Sequence, residues 1–321
     1  MARGHFDHMV TAAHAGKTAA ELADLAPDAL RGVSEGDADH LNAAFAIDTV
    51  TKLADDRFHA AARVIRAESV ELKHDPGPDA AWTAFFAEAP LAKYQEHPED
   101  FRLDFGPVYY RGRLDGTARV LVVGQDPAAN ELVGHRIFVG ASGQRIQGFL
   151  RRIGIGRDYV MINTFLYPIF GQFFQVDHLS HDADIMGYRN ALLDRLAEAN
   201  PLEAVLAVGS AGLDAVERWP GHDGLHVQHL THPSAHDHAA LFESWNEGLD
   251  TLRPLIEAEV GAVDDPATYG PDDWTDADHE PIPPRDLPFG VPKWQGEGSH
   301  ASRGKNADGS TNHKEIIWKA P

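Results

Sequence analysis

A chain of 321 residues, 43% hydrophobic and 24% charged, has enough apolar side chain to bury one or two cores, and this composition excludes global disorder. It contains no cysteine, which excludes disulfides, thiolate zinc sites and cysteine-ligated iron–sulfur clusters. A net charge of −21 opposes a polyanionic partner for the surface taken as a whole.

No apolar run approaches the roughly 20 residues that span a bilayer, and "MARGHFDHMVTAAHAG" lacks the apolar centre of a secretory signal. A cytoplasmic monomer with no membrane partner is expected. Residues 1–105 predict a helical extension. "TAAELADLAPDAL" (18–30), "DADHLNAAFAIDTVTKLADDRFHAAARVIRAE" (37–68) and "DAAWTAFFAEAPLAKYQ" (79–95) set apolar residues three and four apart among good helix formers. From 106 to 260 strands and helices alternate. "ARVLVVG" (118–124), "DYVMINTF" (158–165), "EAVLAVG" (203–209) and "LHVQHL" (225–230) predict strands. "GQRIQGFLRRIG" (143–154), "DIMGYRNALLDRLAEAN" (184–200), "SAGLDAVERW" (210–219) and "HAALFESWNEGLDTLRPLIEAE" (238–259) predict amphipathic helices. The alternation predicts an α/β fold with three layers, α/β/α, around a central four-stranded parallel sheet. Residues 261–321, rich in Pro, Gly and Asp, predict an irregular C-terminal arm.

Ligands of such sheets bind outside the carboxyl ends of the strands. The predicted strands run into "GQDPAA" (124–129), "NTFLYPIFGQ" (163–172), "GSAG" (209–212) and "THPSAHD" (231–237), which should converge on one edge. Neither G-x-G-x-x-G nor G-K-[ST] stands there, so these are not dinucleotide or P-loop signatures. Charge is unevenly spread. Arg111 to Arg157 carries eight arginines against Asp115, Asp126 and Glu131, a balance of 8 − 3 = +5, whereas "DDPATYGPDDWTDADHE" (264–280) carries seven carboxylates and no Lys or Arg. The positive stretch coincides with the first loop and favours an anionic substrate, although a solvated surface would read the same way.

Taken in order, Gly124-Gln125-Asp126-Pro127, Phe138, Asn163 and His232-Pro233-Ser234 resemble the motifs of the uracil-DNA glycosylase superfamily over about residues 118–258. "GQDPAANELVGHRIFVGASGQRIQGFLRRIGI" is laid out like the iron–sulfur branches of that superfamily, while Gly-Gln-Asp-Pro matches the uracil-DNA glycosylases proper. The resemblance implies a monofunctional DNA glycosylase that hydrolyses the N-glycosidic bond of uracil in DNA, with no cofactor, no metal and no cluster. Asp126 would place the attacking water and stabilise the cationic sugar, and His232 would stabilise the departing base. Gln125 and Asn163 would read uracil, Phe138 would stack on it, and Ala128 would line its pocket. Ser210, Ser234 and Arg145 would hold DNA phosphates.

Three departures qualify the resemblance. The four cluster cysteines of the iron–sulfur branches are missing, Ala128 stands where a tyrosine excludes thymine, and His236 stands where a leucine wedges into the vacated base stack. Each residue also has a plainer reading: Asp126 as a turn residue, Phe138 as core, and His232 with His229, His236 and His238 as a metal cluster. A related enzyme for other deaminated bases, a uracil-DNA-binding module of weak activity and a metal-dependent hydrolase are the alternatives.

Overall fold

The computed structural model describes residues 9–56, 74–259, 261–262, 265–270 and 273–319. The chain packs as two units, Met1–Leu72 and Lys73–Pro321. In the first, α1 (Ala19–Ala23) and α2 (Glu35–Phe45) each begin with a capping box, Thr18 with Glu21 and Ser34 with Asp37, and α3 (Val50–Asp55) starts at a Thr49 cap. These caps satisfy amide groups that would otherwise lack partners. The predicted helical segment beyond residue 56 lies outside the described residues until residue 74.

The second unit opens with α4 (Ala80–Ala87) and α5 (Leu91–Gln95). It then builds one sheet from β1 (Arg111–Gly112), β2 (Val120–Gly124), β3 (Tyr159–Asn163), β4 (Ala204–Val208) and β5 (His226–Leu230), in the order β1-β3-β2-β4-β5. β2 to β5 are parallel, as the sequence predicts. The sheet has five strands rather than four, because β1 adds an antiparallel edge against β3. Two residues carry no periodicity, so β1 leaves no sequence signal. It is held there by Arg111, a fully buried arginine bonded to Asp286 and Gln147 at 3.0 Å each.

The helices between the strands are α6 (Ala129–Gly134), α7 (Ala141–Arg152), α8 (Phe173–Ser180), α9 (Ala183–Ala199), α10 (Gly209–Glu217) and α11 (His238–Leu252). Side chains of β2 alternate between two cores. Val120 and Val122 join Ile146 and Phe149 of α7 and Trp245 and Leu249 of α11. Leu121 and Val123 join Leu192 and Leu196 of α9, Val216 of α10 and Trp82 of α4. Burial on both faces is why this strand reads as an unbroken apolar run. The last helix ends at Leu252, earlier than its sequence pattern predicts, since Pro254 supplies no amide to continue it. Among the described residues no helix is long and apolar enough to cross a membrane.

Beyond the core the chain is more ordered than the irregular arm its composition predicts. Ile282 and Leu287 pack with Val139 in a small core of their own, and β6 (Ala301–Lys305) pairs with β7 (Thr311–Trp318) as an antiparallel hairpin. The arm also consumes the arginine-rich stretch. Among the described residues at least six of its arginines face carboxylates: Arg111 faces Asp286, Arg113 faces Asp115, Arg119 faces Glu203, Arg136 faces Asp75, Arg151 faces Asp265 and Glu280, and Arg152 faces Asp278. Four of these acids belong to the arm. The expected basic face is therefore largely neutralised within this unit.

Candidate active site

The parallel order puts the loops after β2, β3, β4 and β5 on one sheet edge. At the first of these, the Gln125 carbonyl accepts the Phe165 amide at 3.0 Å, and Thr164 donates to the Gly124 carbonyl from both its amide and its hydroxyl. The loops after β2 and β3 are thereby laced together. Asp126 completes the lacing, accepting the Ile169 amide on Oδ2 at 2.9 Å and the Gln125 side-chain amide on Oδ1 at 2.8 Å. Burial pushes its carboxyl up to about 6, against those hydrogen bonds and the opposing charge of Arg303. A carboxylate that remains costly to ionise while held in a fixed direction is suited to proton handling or to facing a developing cation.

The segment from Ala128 to Gly140 is closed by a side chain that the motif search passes over. Glu131, buried, accepts the Ala128 amide on Oε2 at 3.0 Å, and the Val139 and Gly140 amides on Oε1 at 3.0 and 3.4 Å. Burial raises its pKa and the amides oppose that rise. Its sequence signal is a Glu three residues into a helix, the far half of a capping box. The loop that it ties holds Phe138 at φ 56°, a left-handed conformation that costs a bulky residue on the order of 1–3 kcal/mol.

That strained backbone aims the Phe138 ring at the strand end. A Cβ on Gly124 would lie 2.5 Å from both Phe138 Cζ and Asn163 Oδ1, so the ring edge and the amide both press on this glycine. Gly124 and Asn163 are register partners across β2 and β3. Asn163 is 5% exposed, and among the described residues no hydrogen bond engages its amide. An amide with free valences beside an aromatic ring is suited to pair with the edge of a planar ligand. Gln125, Asp126, Phe138 and Asn163 thus form one group.

His232 heads a second group across β4. Its ring rests on Gly209, the first residue of α10, where a Cβ would lie 3.1 Å from His232 Cβ. Nδ1 accepts the Ser234 amide at 3.2 Å, so the neutral ring carries its proton on Nε2. Burial, with the charge of Arg145 added, pushes the imidazole down to about 4 and keeps it neutral at pH 7. Arg145 bonds the Pro233 carbonyl at 2.6 Å and His279 at 3.1 Å and lies under Trp274, so it braces the His232 loop.

Ser234 is exposed and its hydroxyl pairs with Ser142 at 2.9 Å. Ser210 is exposed in the first turn of α10, Ala128 is exposed at the start of α6, and His236 is exposed beyond Ser234. The four clustered histidines do not converge: among the described residues the group with three metal-type ligand atoms within 4.8 Å of one another is His97, Glu99 and Asp100.

Sequence reasoning also missed the arm's part in the site. The Asn130 carbonyl accepts Gln295 at 3.3 Å, its side chain accepts the His300 amide at 3.0 Å, and Gln144 donates to the Gly298 carbonyl at 2.9 Å. The available signal was Asp308-Gly309, a hairpin-turn pair ahead of "TNHKEIIW", with Gly309 at φ 84°.

Residues 112–247 match the family model of the Uracil DNA glycosylase superfamily, a span that runs from β1 into α11 and contains every predicted site residue. No curated protein matches the chain.

Proposed function

We propose that the protein is a monofunctional DNA glycosylase that hydrolyses the N-glycosidic bond of uracil in DNA, a reading supported by the match of residues 112–247 to the family model of the Uracil DNA glycosylase superfamily. The observation that carries this reading is the convergence of Phe138 and Asn163 on Gly124, one residue from Gln125 and two from Asp126. A base must leave the stack to reach such a pocket, at a cost of a few kcal/mol. Phe138 then offers it a face, and the Asn163 amide complements the O4 acceptor and N3 donor of uracil. As the bond lengthens, the neutral His232 donates from Nε2 to the departing anionic base. Asp126, ionised, faces the cationic sugar and orients water, and the proton released on water addition passes to it. Ser210 and Ser234 contact flanking phosphates, and Ala128 and His236 stand at the rim.

The test is release of free uracil from a labelled oligonucleotide by the full chain in EDTA. Release supports the reading; no release, or release that EDTA abolishes, overturns it. Asn163→Asp should lose uracil excision by about 10⁴-fold, since a site built on hydrogen bonds rejects a mismatched partner on that scale. A second reading has its own observation. Ala128 puts only a methyl group at the exposed start of α6, which leaves room for a larger base. Excision of thymine or hypoxanthine faster than uracil would favour that alternative.

A further inference from the structure

The C-terminal hairpin lies outside the matched family span, yet it is fastened to two loops of the site. Just before β6, the His300 amide donates to the Asn130 side chain at 3.0 Å, four residues beyond Asp126. In β7, the Lys314 carbonyl accepts the Arg102 guanidinium at 2.6 Å. The Arg102 amide in turn bonds the Pro168 carbonyl at 2.8 Å, next to the Ile169 amide that Asp126 accepts. Phe170 fills this junction, with the Arg102 guanidinium 5.1 Å and the Lys314 ammonium 5.8 Å from its ring centre. The hairpin is therefore continuous with the loop that follows β3.

That loop ends in an aromatic side chain that the core does not take up. Phe173 packs toward Phe165, their ring centres 6.2 Å apart, whereas Phe174 beside it is 73% exposed. The Gln172 amide donates to Gln175 Oε1 at 2.8 Å and closes the turn on which Phe174 stands. A lone exposed ring is ordinary on a protein surface. This one stands on the edge where the strands deliver the site, four residues from a ring that a lysine of the hairpin covers. Lys314 is exposed, and Lys305 and Lys319 extend the positive charge along the hairpin. Among the described residues no carboxylate pairs with any of the three, in contrast to the paired arginines of residues 111–157.

We propose that the hairpin and the Phe170–Phe174 loop form one surface that holds the DNA strand beside the target nucleotide, with Phe174 stacked on a neighbouring base and Lys314 on a phosphate. An aromatic face next to a cation suits a single strand, since every base offers a π-face and the charged backbone runs alongside it. The rival occupant of an exposed ring is a second copy of this chain. Charge favours the strand: a chain of net charge −21 repels its copy, whereas DNA brings phosphates to unpaired lysines. That the neighbouring nucleotide is extruded for excision rests on the glycosylase reading; contact with the strand does not.

Affinity of the full chain for a single-stranded tetrahydrofuran abasic oligonucleotide tests the surface, with single-turnover uracil release measured beside it. Phe174→Ala should weaken binding by about fivefold or more, the usual loss when a base is deprived of its aromatic platform, and Phe174→Trp should restore it. Lys314→Gln should flatten the slope of log affinity against log salt by about 0.7. Phe289→Ala removes a ring that is 82% exposed against His74, away from this loop in the chain, and should leave affinity unchanged. Undiminished affinity in Phe174→Ala, an equal loss in Phe289→Ala, or an unflattened slope in Lys314→Gln overturns the proposal. So does a dimer in sedimentation that Phe174→Ala dissociates while oligonucleotide binding is kept, since the ring would then serve a second copy. If the unaltered chain bound the oligonucleotide but released no uracil, the glycosylase reading would fall on its own, and the same affinities would still decide the surface. A chain that bound no oligonucleotide would overturn the surface directly.

Discussion

Asp126 and His232 are perturbed in opposite directions, and both shifts favour the neutral side chain: the carboxyl is pushed up to about 6 and the imidazole down to about 4. The stability consequences also oppose one another. Between about pH 4 and 6 the folded state holds the Asp126 proton longer than the unfolded chain does, so this group's contribution is full below about pH 4 and is lost as pH rises through 6. His232 has a depressed value, so its contribution is full above about 6.5 and is lost as pH falls toward 4. Asp126→Asn removes the first effect; its one acceptor oxygen can keep the Ile169 amide, and its NH2 can donate to the Gln125 side-chain oxygen once that amide turns over. The variant should match the unaltered protein in stability at pH 4 and exceed it by on the order of 2 kcal/mol at pH 7, while single-turnover excision falls about 10²- to 10³-fold. Denaturant midpoints at the two pH values check the first half. A variant destabilised at pH 7 would mean that Asp126 is a structural turn residue, the plainer reading of its sequence.

At the scale of elements, the arm and β1 stand or fall together. Arg111 is fully buried and its charge is met by Asp286, which also accepts the Tyr159 hydroxyl. Removing one partner of such a pair leaves an uncompensated buried charge, at a cost of about 3–5 kcal/mol. Asp286→Ala should lower the unfolding free energy of the full chain by that amount, whereas Glu96→Ala, which breaks an exposed pair with Lys93, should cost less than about 1 kcal/mol. A small effect at Asp286 would show the arm to be a loose cover.

The same pair explains why the sequence disclosed some elements and hid others. The parallel strands were legible because burial on two faces forces unbroken runs such as Val120 to Val123. The loops at this sheet edge were legible because Gly124, Asp126, Asn163 and His232 stand at or just beyond the ends of apolar strand runs, where such sheets bind ligands. β1 and the hairpin are held by Arg111 with Asp286, and by Asn130 with His300, contacts between residues more than 150 apart that leave no local period.

At the scale of the whole molecule, the proposed DNA substrate sets a polyanion against a chain of net charge −21. The arginine stretch that the sequence offered for this task is largely spent internally, with at least six members on carboxylates among the described residues. The hairpin differs in net charge from the rest of the chain. From His300 to Lys319 it carries Arg303, Lys305, Lys314 and Lys319 against Asp308 and Glu315, 4 − 2 = +2, which leaves −21 − 2 = −23 for the remainder. Lys305, Lys314 and Lys319 are exposed. If the hairpin cations meet the phosphates of the proposed substrate, each contact to a single strand contributes about −0.7 to the slope of log affinity against log salt. Three such contacts give a slope of about −2, shallow for a DNA-binding enzyme. Binding of the abasic oligonucleotide at 50 to 300 mM salt would measure it. Lys305→Gln with Lys319→Gln should flatten the slope by about 1.4, the sum of two contacts, and leave the single-turnover plateau unchanged. Arg151→Gln, by contrast, should lower stability through its pairs with Asp265 and Glu280 and leave the slope alone. A slope of about −5 in the unaltered protein, or one that Arg151→Gln flattens, would return the DNA interface to the arginine stretch and take it away from the hairpin.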